Sequence, residues 1–308
     1  MLTAHMPACK LRTCRCLAPT PQDRAMSLRV GIAQFAPTLG DLDRNLALIE
    51  ERIERGVEEN VELLVFPELA LTGYTLKDMA PTVAQRRDSP IIRKLAAASE
   101  GTSLVVGFVE ESDDYRFYNA VGYFENGDLV HVHRKVYLPT YGMFEETRYL
   151  AAGDRIQAFD TRHGRMAMLI CEDMWHPSAP YITSQDGCET LLGVASSPAR
   201  GVQEDDDIYS AKAWRGLNRV YAHFFGQYVV FANRVGFEDG VAYWGGSEIV
   251  GPGGEVVARA GQLEEEFLIG AISTERVRRA RIMSPLLRDE RLDLTMRELE
   301  RIQAERML

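Results

Sequence analysis

Long apolar runs are missing from this 308-residue sequence, in which no window approaches about eighteen uninterrupted apolar residues. A membrane-spanning helix needs about twenty, so we expect no membrane span. Positive charge is also in deficit: 35 Lys and Arg stand against 45 Asp and Glu, which gives a net charge of −10. Proteins that bind nucleic-acid phosphates generally carry the opposite balance. We therefore expect no nucleic-acid partner.

Cysteine is scarce in the body of the chain, where only Cys171 and Cys188 follow residue 27. Two cysteines are too few for a disulfide scaffold and fit a reducing cytoplasm. The other three lie near the start with the spacing C-x4-C-x-C, which is not a zinc-binding pattern. No apolar segment of secretory type accompanies them. We expect residues 1–27 to be a disordered extension or the product of a start codon assigned too early, with a zinc or redox tag as the alternative.

What the sequence does contain, from residue 28 onward, is an alternation of short β-rich runs and helical patterns. The predicted strands are 28–36, 61–68, 103–111, 116–125, 128–137, 165–171, 190–197, 227–235, 242–250 and 266–272. The predicted helices are 43–59, 90–100, 177–187 and 205–225.

Two turn sequences, "ENGD" at 125–128 and "GPGGE" at 251–255, predict hairpins between antiparallel strands. Hairpins mixed with helical crossovers indicate a layered α/β sandwich with mixed sheets. No internal repeat or inner linker interrupts residues 28–290, which we interpret as one domain.

The segment 291–308 predicts a charged terminal helix with an apolar side formed by Leu292, Met296, Leu299 and Ile302. Such a helix either folds back on the core or docks on a partner subunit.

Three polar residues stand where buried apolar runs end, and active sites of layered α/β proteins gather at such ends. They are Glu68 in "LLVFPE", Lys135 in "HVHRK" and Cys171 in "AMLIC". Each alone has an ordinary explanation: a capping acid, a solvated lysine and an inert core thiol. Together they supply a proton acceptor, an ammonium and a thiol. Thiol chemistry needs that combination, because a cysteine with a pKa of about 8.5 is mostly protonated at neutral pH.

The segments "FPELALTGY", "RKVYLPTYGMFEE" and "LICEDMWHP" resemble, in this order, the three signature blocks of the nitrilase, or carbon–nitrogen hydrolase, superfamily. "RVGIAQFAPTLGDLDRNLALI" is similar to that family's first strand and helix. The resemblance covers about residues 29–272. It implies a four-layer αββα sandwich that assembles as a homodimer or a higher homo-oligomer.

The resemblance also implies a catalytic triad of Glu68, Lys135 and Cys171. Glu68 would act as the base, Lys135 would hold the oxyanion, and Cys171 would form a thioester. The family often has a second glutamate after the lysine. We assign Glu146 rather than Glu145 to that place, because the pattern F-x-E-x-R then falls on Phe144, Glu146 and Arg148; a surface acid paired with Arg148 is the alternative. The resemblance implies no metal and no organic cofactor.

"CEDMWHP" with "KVYLPTYGMFEE" is similar to the glutaminase domain of glutamine-dependent NAD synthetases. The sequence contains no Ser-Gly-Gly-x-Asp-Ser loop, so synthetase activity by this chain alone is not expected. We expect an amidase that hydrolyses a small linear carboxamide. The alternatives are a glutaminase-type subunit that supplies ammonia to a separate synthetase, and an inactive nitrilase-like scaffold.

Several residues near the triad are candidates for binding the substrate. The aromatic ones, expected to wall the acyl pocket, are Tyr74, Tyr141, Phe144 and Trp175. Glu172, directly after the cysteine, is expected to contribute its backbone N–H.

The segment "ASSPARG" follows a predicted strand in a place similar to the family's substrate-binding serine segment. Ser196, Ser197 and Arg200 lie in it, and an arginine there would clamp a substrate carboxylate. A solvated arginine that faces the acidic run 204–207 is the alternative.

His176 is not expected to be the base, because its place five residues after Cys171 and before a proline gives no helical geometry toward the thiol. A metal site of Cys171, Glu172, Asp173 and His176 is not expected either, since adjacent side chains diverge. Asn119 is interpreted as a structural residue that stabilises a turn at a strand end.

Overall fold

The computed structural model describes residues 27–201 and 208–307. Most of the predicted N-terminal extension, with its three cysteines, and the acidic run 204–207 lie outside the described residues. The strands are β1 Leu28–Gln34, β2 Leu63–Val65, β3 Ser103–Glu111, β4 Phe117–Glu125, β5 Asp128–Arg134, β6 Ala158–Thr161, β7 Gly164–Ile170, β8 Thr190–Ala195, β9 Tyr228–Asn233, β10 Val235–Glu238, β11 Val241–Trp244, β12 Glu248–Val250, β13 Val256–Arg259 and β14 Glu266–Ile272.

The helices are α1 Leu42–Glu58, α2 Ala80–Val83, α3 Pro90–Ala98, α4 Glu146–Tyr149, α5 Ser178–Gln185, α6 Tyr209–Phe225, α7 Thr274–Met283, α8 Leu286–Asp289 and α9 Leu292–Arg306. Short 3₁₀ turns cover Lys77–Met79 and Cys171–Trp175. Among the described residues, no helix combines the length and apolar character that crossing a membrane requires.

Twelve of the described strands form two six-stranded mixed sheets, and β10 and β11 form a separate two-stranded sheet. Sheet one has the order β14-β1-β2-β3-β4-β5, and sheet two has the order β13-β12-β9-β8-β7-β6. The predicted hairpins are confirmed, because β4 pairs antiparallel with β5 and β12 pairs antiparallel with β13. Within sheet one, β5 runs in the same direction as β2, since β3 is parallel to β2 and two antiparallel steps lead from β3 to β5.

Alternation along the strands of sheet one builds two separate cores. Val30 and Ile32 of β1 belong to the core that sheet one shares with sheet two. Ala33, on the opposite face of β1, belongs with Ile49 and Ile53 of α1 to the core beneath the helices. Each fully buried aliphatic side chain contributes about 1.5–3 kcal/mol to folding. Helices α5 and α6 cover sheet two, so the predicted αββα layering is confirmed.

The prediction of a single strand over 242–250 is wrong, because β11 ends at Trp244 and β12 begins at Glu248. Gly245 and Gly246 between them have φ of +69° and +61°, a region that side-chain-bearing residues seldom adopt. The chain therefore turns, so β11 pairs with β10 while β12 joins sheet two.

Strands β6 and β13 and helix α7 were absent from the sequence-based prediction. Both strands have only four residues, too short for a period of two to be read. Helix α7 is rich in arginine and buries only Val277, so it lacks an apolar stripe.

The terminal helix α9 buries none of its residues. Leu292, Met296 and Leu299 are exposed, so the apolar side of α9 does not fold back on the core of its own chain. Docking on a partner subunit stays a prediction, as do the domain boundaries at 27 and 290.

Gly107 in β3 supports the segment that follows β2. A Cβ atom at residue 107 would lie 2.4 Å from the backbone nitrogen of Leu69 and 2.8 Å from the carbonyl oxygen of Pro67. The chain around Glu68 therefore rests directly on β3, held there by a 3.1 Å hydrogen bond from Leu71 N to Gly107 O.

We expect Gly107→Ala to destabilise the fold by about 1–3 kcal/mol, because the added methyl group meets backbone that has to shift. Gly101→Ala is the matched control, since a Cβ at residue 101 meets nothing within 4 Å. Urea denaturation measures both variants. Equal midpoints for Gly107→Ala and Gly101→Ala would contradict the close approach.

Candidate active site

Two sheets contribute side chains to one buried cluster. Glu68 follows β2 and Lys135 follows β5, so both lie at the same edge of sheet one. Cys171 follows β7 and Ser196 follows β8, which is parallel to β7 in sheet two. Glu68 is 1%, Lys135 0% and Cys171 7% exposed. The fold thus brings together residues that lie more than a hundred positions apart in the sequence.

The ammonium of Lys135 lies between two carboxylates. Its Nζ donates to Glu68 Oε1 at 2.9 Å and to Glu146 Oε1 at 2.6 Å. Burial alone lowers the pKa of Lys135, but the charges of Glu146 and Glu68 outweigh burial and raise that pKa above its usual value. Lys135 is therefore a permanent cation with two acidic partners.

Glu68 is held in place by three donors. Oε1 also accepts a hydrogen bond from Asn119 Nδ2 at 2.7 Å, and Oε2 accepts one from the backbone N–H of Ser196 at 2.6 Å. The Ser196 hydroxyl donates to the backbone oxygen of Glu68 at 3.1 Å. Since Ser196 belongs to sheet two, these bonds fix the carboxylate between the sheets.

Glu146 begins α4 and points inward, whereas its neighbour Glu145 is exposed. Tyr74 Oη donates to Glu146 Oε1 at 2.5 Å, on the same oxygen that Lys135 contacts. Oε2 is buried and has no hydrogen-bond partner among the described residues. Burial, reinforced by the Glu68 carboxylate, raises the pKa of Glu146 even though Lys135 opposes the shift.

Cys171 occupies the first position of the 3₁₀ turn after β7, with φ of +46°. A non-glycine residue in that region stores about 1–3 kcal/mol of strain, which recurs at functional sites. Burial, together with the Glu68 carboxylate, raises the pKa of the Cys171 thiol well above its usual value. Cys171 therefore rests as a neutral thiol, and a nucleophilic role for it would require a base.

A set of polar and aromatic residues lies beside the thiol. Tyr141, 51% exposed, donates from Oη to Glu172 Oε2 at 2.9 Å. Burial and that carboxylate raise the pKa of Tyr141 to about 12. The Arg200 guanidinium carbon lies 4.7 Å from the ring centre of Phe144 and 5.8 Å from that of Tyr141. The structure thus brings together Tyr141, Phe144, Glu172 and Arg200.

Ser197 and Trp175 both contact other tryptophan side chains. Ser197 Oγ accepts hydrogen bonds from the indole nitrogens of Trp214 at 2.9 Å and Trp244 at 3.1 Å, so its hydroxyl is occupied by protein groups. The Trp175 ring packs edge-on against Trp214 with 5.3 Å between ring centres. Substrate contacts by these two residues stay predictions.

Asn119 was misjudged from the sequence. It lies inside β4 rather than at a turn, and its amide donates to Glu68. The available signal was a fully buried amide in an otherwise apolar strand, since buried polar groups need a partner. His176 stacks on Tyr137 with ring centres 3.7 Å apart, and its Nε2 lies 3.7 Å from Glu172 Oε1.

The chain is similar in sequence and in fold to several known proteins. The family model for carbon–nitrogen hydrolases matches residues 29–282. A glutamine-dependent NAD(+) synthetase of Thermotoga maritima is 29% identical over 84% of this chain, which spans only 44% of that protein. An N-carbamoylputrescine amidase of Solanum lycopersicum is 28% identical over 86% of this chain and 92% of its own length. The solved structure of a carbon–nitrogen hydrolase from Helicobacter pylori G27 superposes with a TM-score of 0.78, at 25% identity over 89% of this chain and 98% of that chain.

The raised pKa of Glu146 gives a pH-dependent prediction. A carboxyl whose pKa is raised by folding stabilises the fold while it is protonated, below the usual glutamate pKa. That contribution is lost as the pH rises through the raised value. Because glutamine is neutral at every pH, the melting temperature of Glu146→Gln relative to the wild type should rise between pH 4 and pH 8, on top of a constant loss from the weakened contact with Lys135.

Thermal melts at pH 4, 6 and 8 measure the difference from the wild type. Glu145→Gln is the matched control, because Glu145 is exposed and should leave the melting temperature unchanged. A pH-independent effect of Glu146→Gln would contradict the assigned shift.

Proposed function

The chain belongs to the carbon–nitrogen hydrolase family, and from that premise we propose that it hydrolyses the C–N bond of a small linear carboxamide through a thioester on Cys171. The expectation of a hydrolase acting on C–N bonds is confirmed at the level of the family. The observation that carries the proposal is the buried Lys135 ammonium, bonded to Glu68 and Glu146 and close enough to the Cys171 thiol for its charge to act on the thiol pKa.

In the first half-reaction, Glu68 takes the proton of the Cys171 thiol while the sulfur attacks the carboxamide carbon. The oxygen of the tetrahedral intermediate is stabilised by Lys135 Nζ and by the backbone N–H of Glu172. Removing one such donor typically lowers the rate by about 10²–10³. Glu68 then passes the proton to the departing nitrogen, the C–N bond breaks, and ammonia or an amine leaves the thioester behind.

In the second half-reaction, water attacks the thioester carbon and gives a proton to Glu68. The C–S bond breaks, the proton returns to the sulfur, and a carboxylic acid is released. The net reaction consumes one water and restores the thiol. Glu146 acts on Lys135 throughout, because its carboxylate keeps the buried ammonium charged.

A glutaminase-type subunit is the second candidate, and the residues beside the thiol favour it over other variants. Glu172 offers a carboxylate to an ammonium group, and Arg200 offers a guanidinium to a carboxylate. An α-amino acid amide such as glutamine carries both charges. The similarity to the NAD synthetase of Thermotoga maritima supports this candidate, with ammonia passing to a separate synthetase. An inactive scaffold is the least supported alternative, because selection for shape alone does not maintain a strained, buried thiol beside a base.

Ammonia release from a carboxamide panel, with mass spectrometry of the trapped enzyme, tests the thioester. We expect an acyl adduct on Cys171 that vanishes in Cys171→Ala and persists in Cys188→Ala, since Cys188 is a second buried cysteine beneath α7. The proposed enzymatic activity would be excluded if the protein released no ammonia from the panel and Cys171 did not react with iodoacetamide.

Glu172→Gln separates the two candidates. For glutamine, loss of the charge-assisted contact is expected to lower kcat/KM by about 10–100-fold, because such bonds contribute about 1.5–3 kcal/mol. For butyramide, which has no ammonium group, kcat/KM should change less than threefold. An equal decrease in kcat/KM for both amides would mean that Glu172 does not bind the ammonium group.

A further inference from the structure

Asp173, two residues after the proposed nucleophile, is fully buried and accepts hydrogen bonds from one distant and one neighbouring backbone segment. Its Oδ1 accepts from the backbone N–H of Val136 at 3.0 Å and from that of Tyr137 at 2.9 Å. Its Oδ2 accepts from the backbone N–H of Ile170 at 3.0 Å. Both carboxylate oxygens are thus occupied by main-chain donors.

His133 supplies a fourth hydrogen bond. Its Nε2 lies 2.8 Å from Asp173 Oδ2, and both side chains are buried. In the tautomer that carries a proton on Nε2, His133 donates to this oxygen. Asp173 therefore receives a donor from β5 as well as from the segments on either side.

These bonds join the parts of the site that belong to different sheets. Ile170 precedes Cys171 at the end of β7 in sheet two. Val136 and Tyr137 follow Lys135 at the end of β5 in sheet one. One carboxylate thus fixes the distance between the backbone that carries the thiol and the backbone that carries the ammonium.

The same carboxylate closes the turn around the nucleophile. The bond from Ile170 N to Asp173 Oδ2 spans Cys171 and Glu172, so it constrains the φ of +46° at Cys171 and the direction of the Glu172 N–H. The thiol has to reach the carbonyl carbon while the Glu172 N–H and the Lys135 ammonium reach the oxygen on that carbon. A misplacement of about 1 Å can cost about 100-fold in rate.

We propose that Asp173 is a positioning residue of the hydrolysis reaction, which sets the placement of Cys171 and of the Glu172 N–H relative to Lys135. Asp173 does not touch the substrate and exchanges no proton with it. The inference rests on the proposed thioester chemistry and adds a residue to it.

Asp173→Asn tests the inference, because asparagine keeps the size but turns an NH₂ group toward main-chain N–H donors. With kcat expressed per active site titrated by the trapped acyl adduct, we expect kcat to fall by about 100-fold. KM should change less than threefold, since the groups proposed to bind the substrate are untouched.

Glu125→Gln is the matched control, because it also removes a buried carboxylate but does so away from the proposed site. Glu125 accepts from Arg162 N, Ser103 Oγ and Tyr123 Oη at the opposite end of the β4–β5 hairpin from Lys135. We expect it to lower the melting temperature as Asp173→Asn does, while kcat per titrated site stays within twofold of the wild type.

A kcat of Asp173→Asn within threefold of the wild type would overturn the inference, and so would an equal loss in Glu125→Gln. If Asp173→Asn does not fold, His133→Phe removes one of the four bonds and should lower kcat by about three- to tenfold; an unchanged kcat would overturn the inference. A wild type that releases no ammonia and forms no adduct overturns the proposed function itself, before any variant is compared.

Discussion

A buried ammonium group is the interaction on which the rest of this structure depends. Lys135 is inaccessible to solvent and is bonded to two carboxylates. A lone buried charge is too costly to keep, so the fold has to bring Glu68 and Glu146 to it. Two carboxylates then exceed one cation, and the surplus negative charge is met by hydrogen-bond donors from Asn119, Ser196 and Tyr74. Burial, together with the Glu68 carboxylate, raises the pKa of the neighbouring cysteine, which therefore rests as a neutral thiol.

The two-sheet architecture explains how much of this cluster is assembled: Lys135, Cys171 and Ser196 directly follow strands, whereas Glu146 lies in the long connection between β5 and β6. Each sheet ends its parallel strands at the same edge, and each contributes part of the chemistry there. The sheets are joined in the site by main-chain donors on side-chain carboxylates: Ser196 N on Glu68, and Val136 N and Tyr137 N on Asp173. Rigid strands hold both ends of these bonds, so the geometry is set before any substrate arrives.

Much of this arrangement was predictable from the sequence because its signals are local. A few consecutive residues are enough to identify a hairpin turn or a strand end. Both hairpins and the layering could therefore be predicted. The residues that were missed act through long-range contacts. The partner of Asn119 lies 51 positions away, and Asp173 contacts residues 36 and 37 positions away. No local pattern carries that information. The same holds for the two indoles that donate to the Ser197 hydroxyl, which lie 17 and 47 positions away.

The left-handed backbone at Cys171 has an evolutionary consequence. Glycine adopts φ of +46° without the penalty that a side chain carries there, so a single codon change from cysteine to glycine would relax the turn while it removes the sulfur. Backbone strain thus favours glycine at this one position, whereas the proposed thioester chemistry requires cysteine. A population selected only for a protein that stays folded would drift away from cysteine at this position.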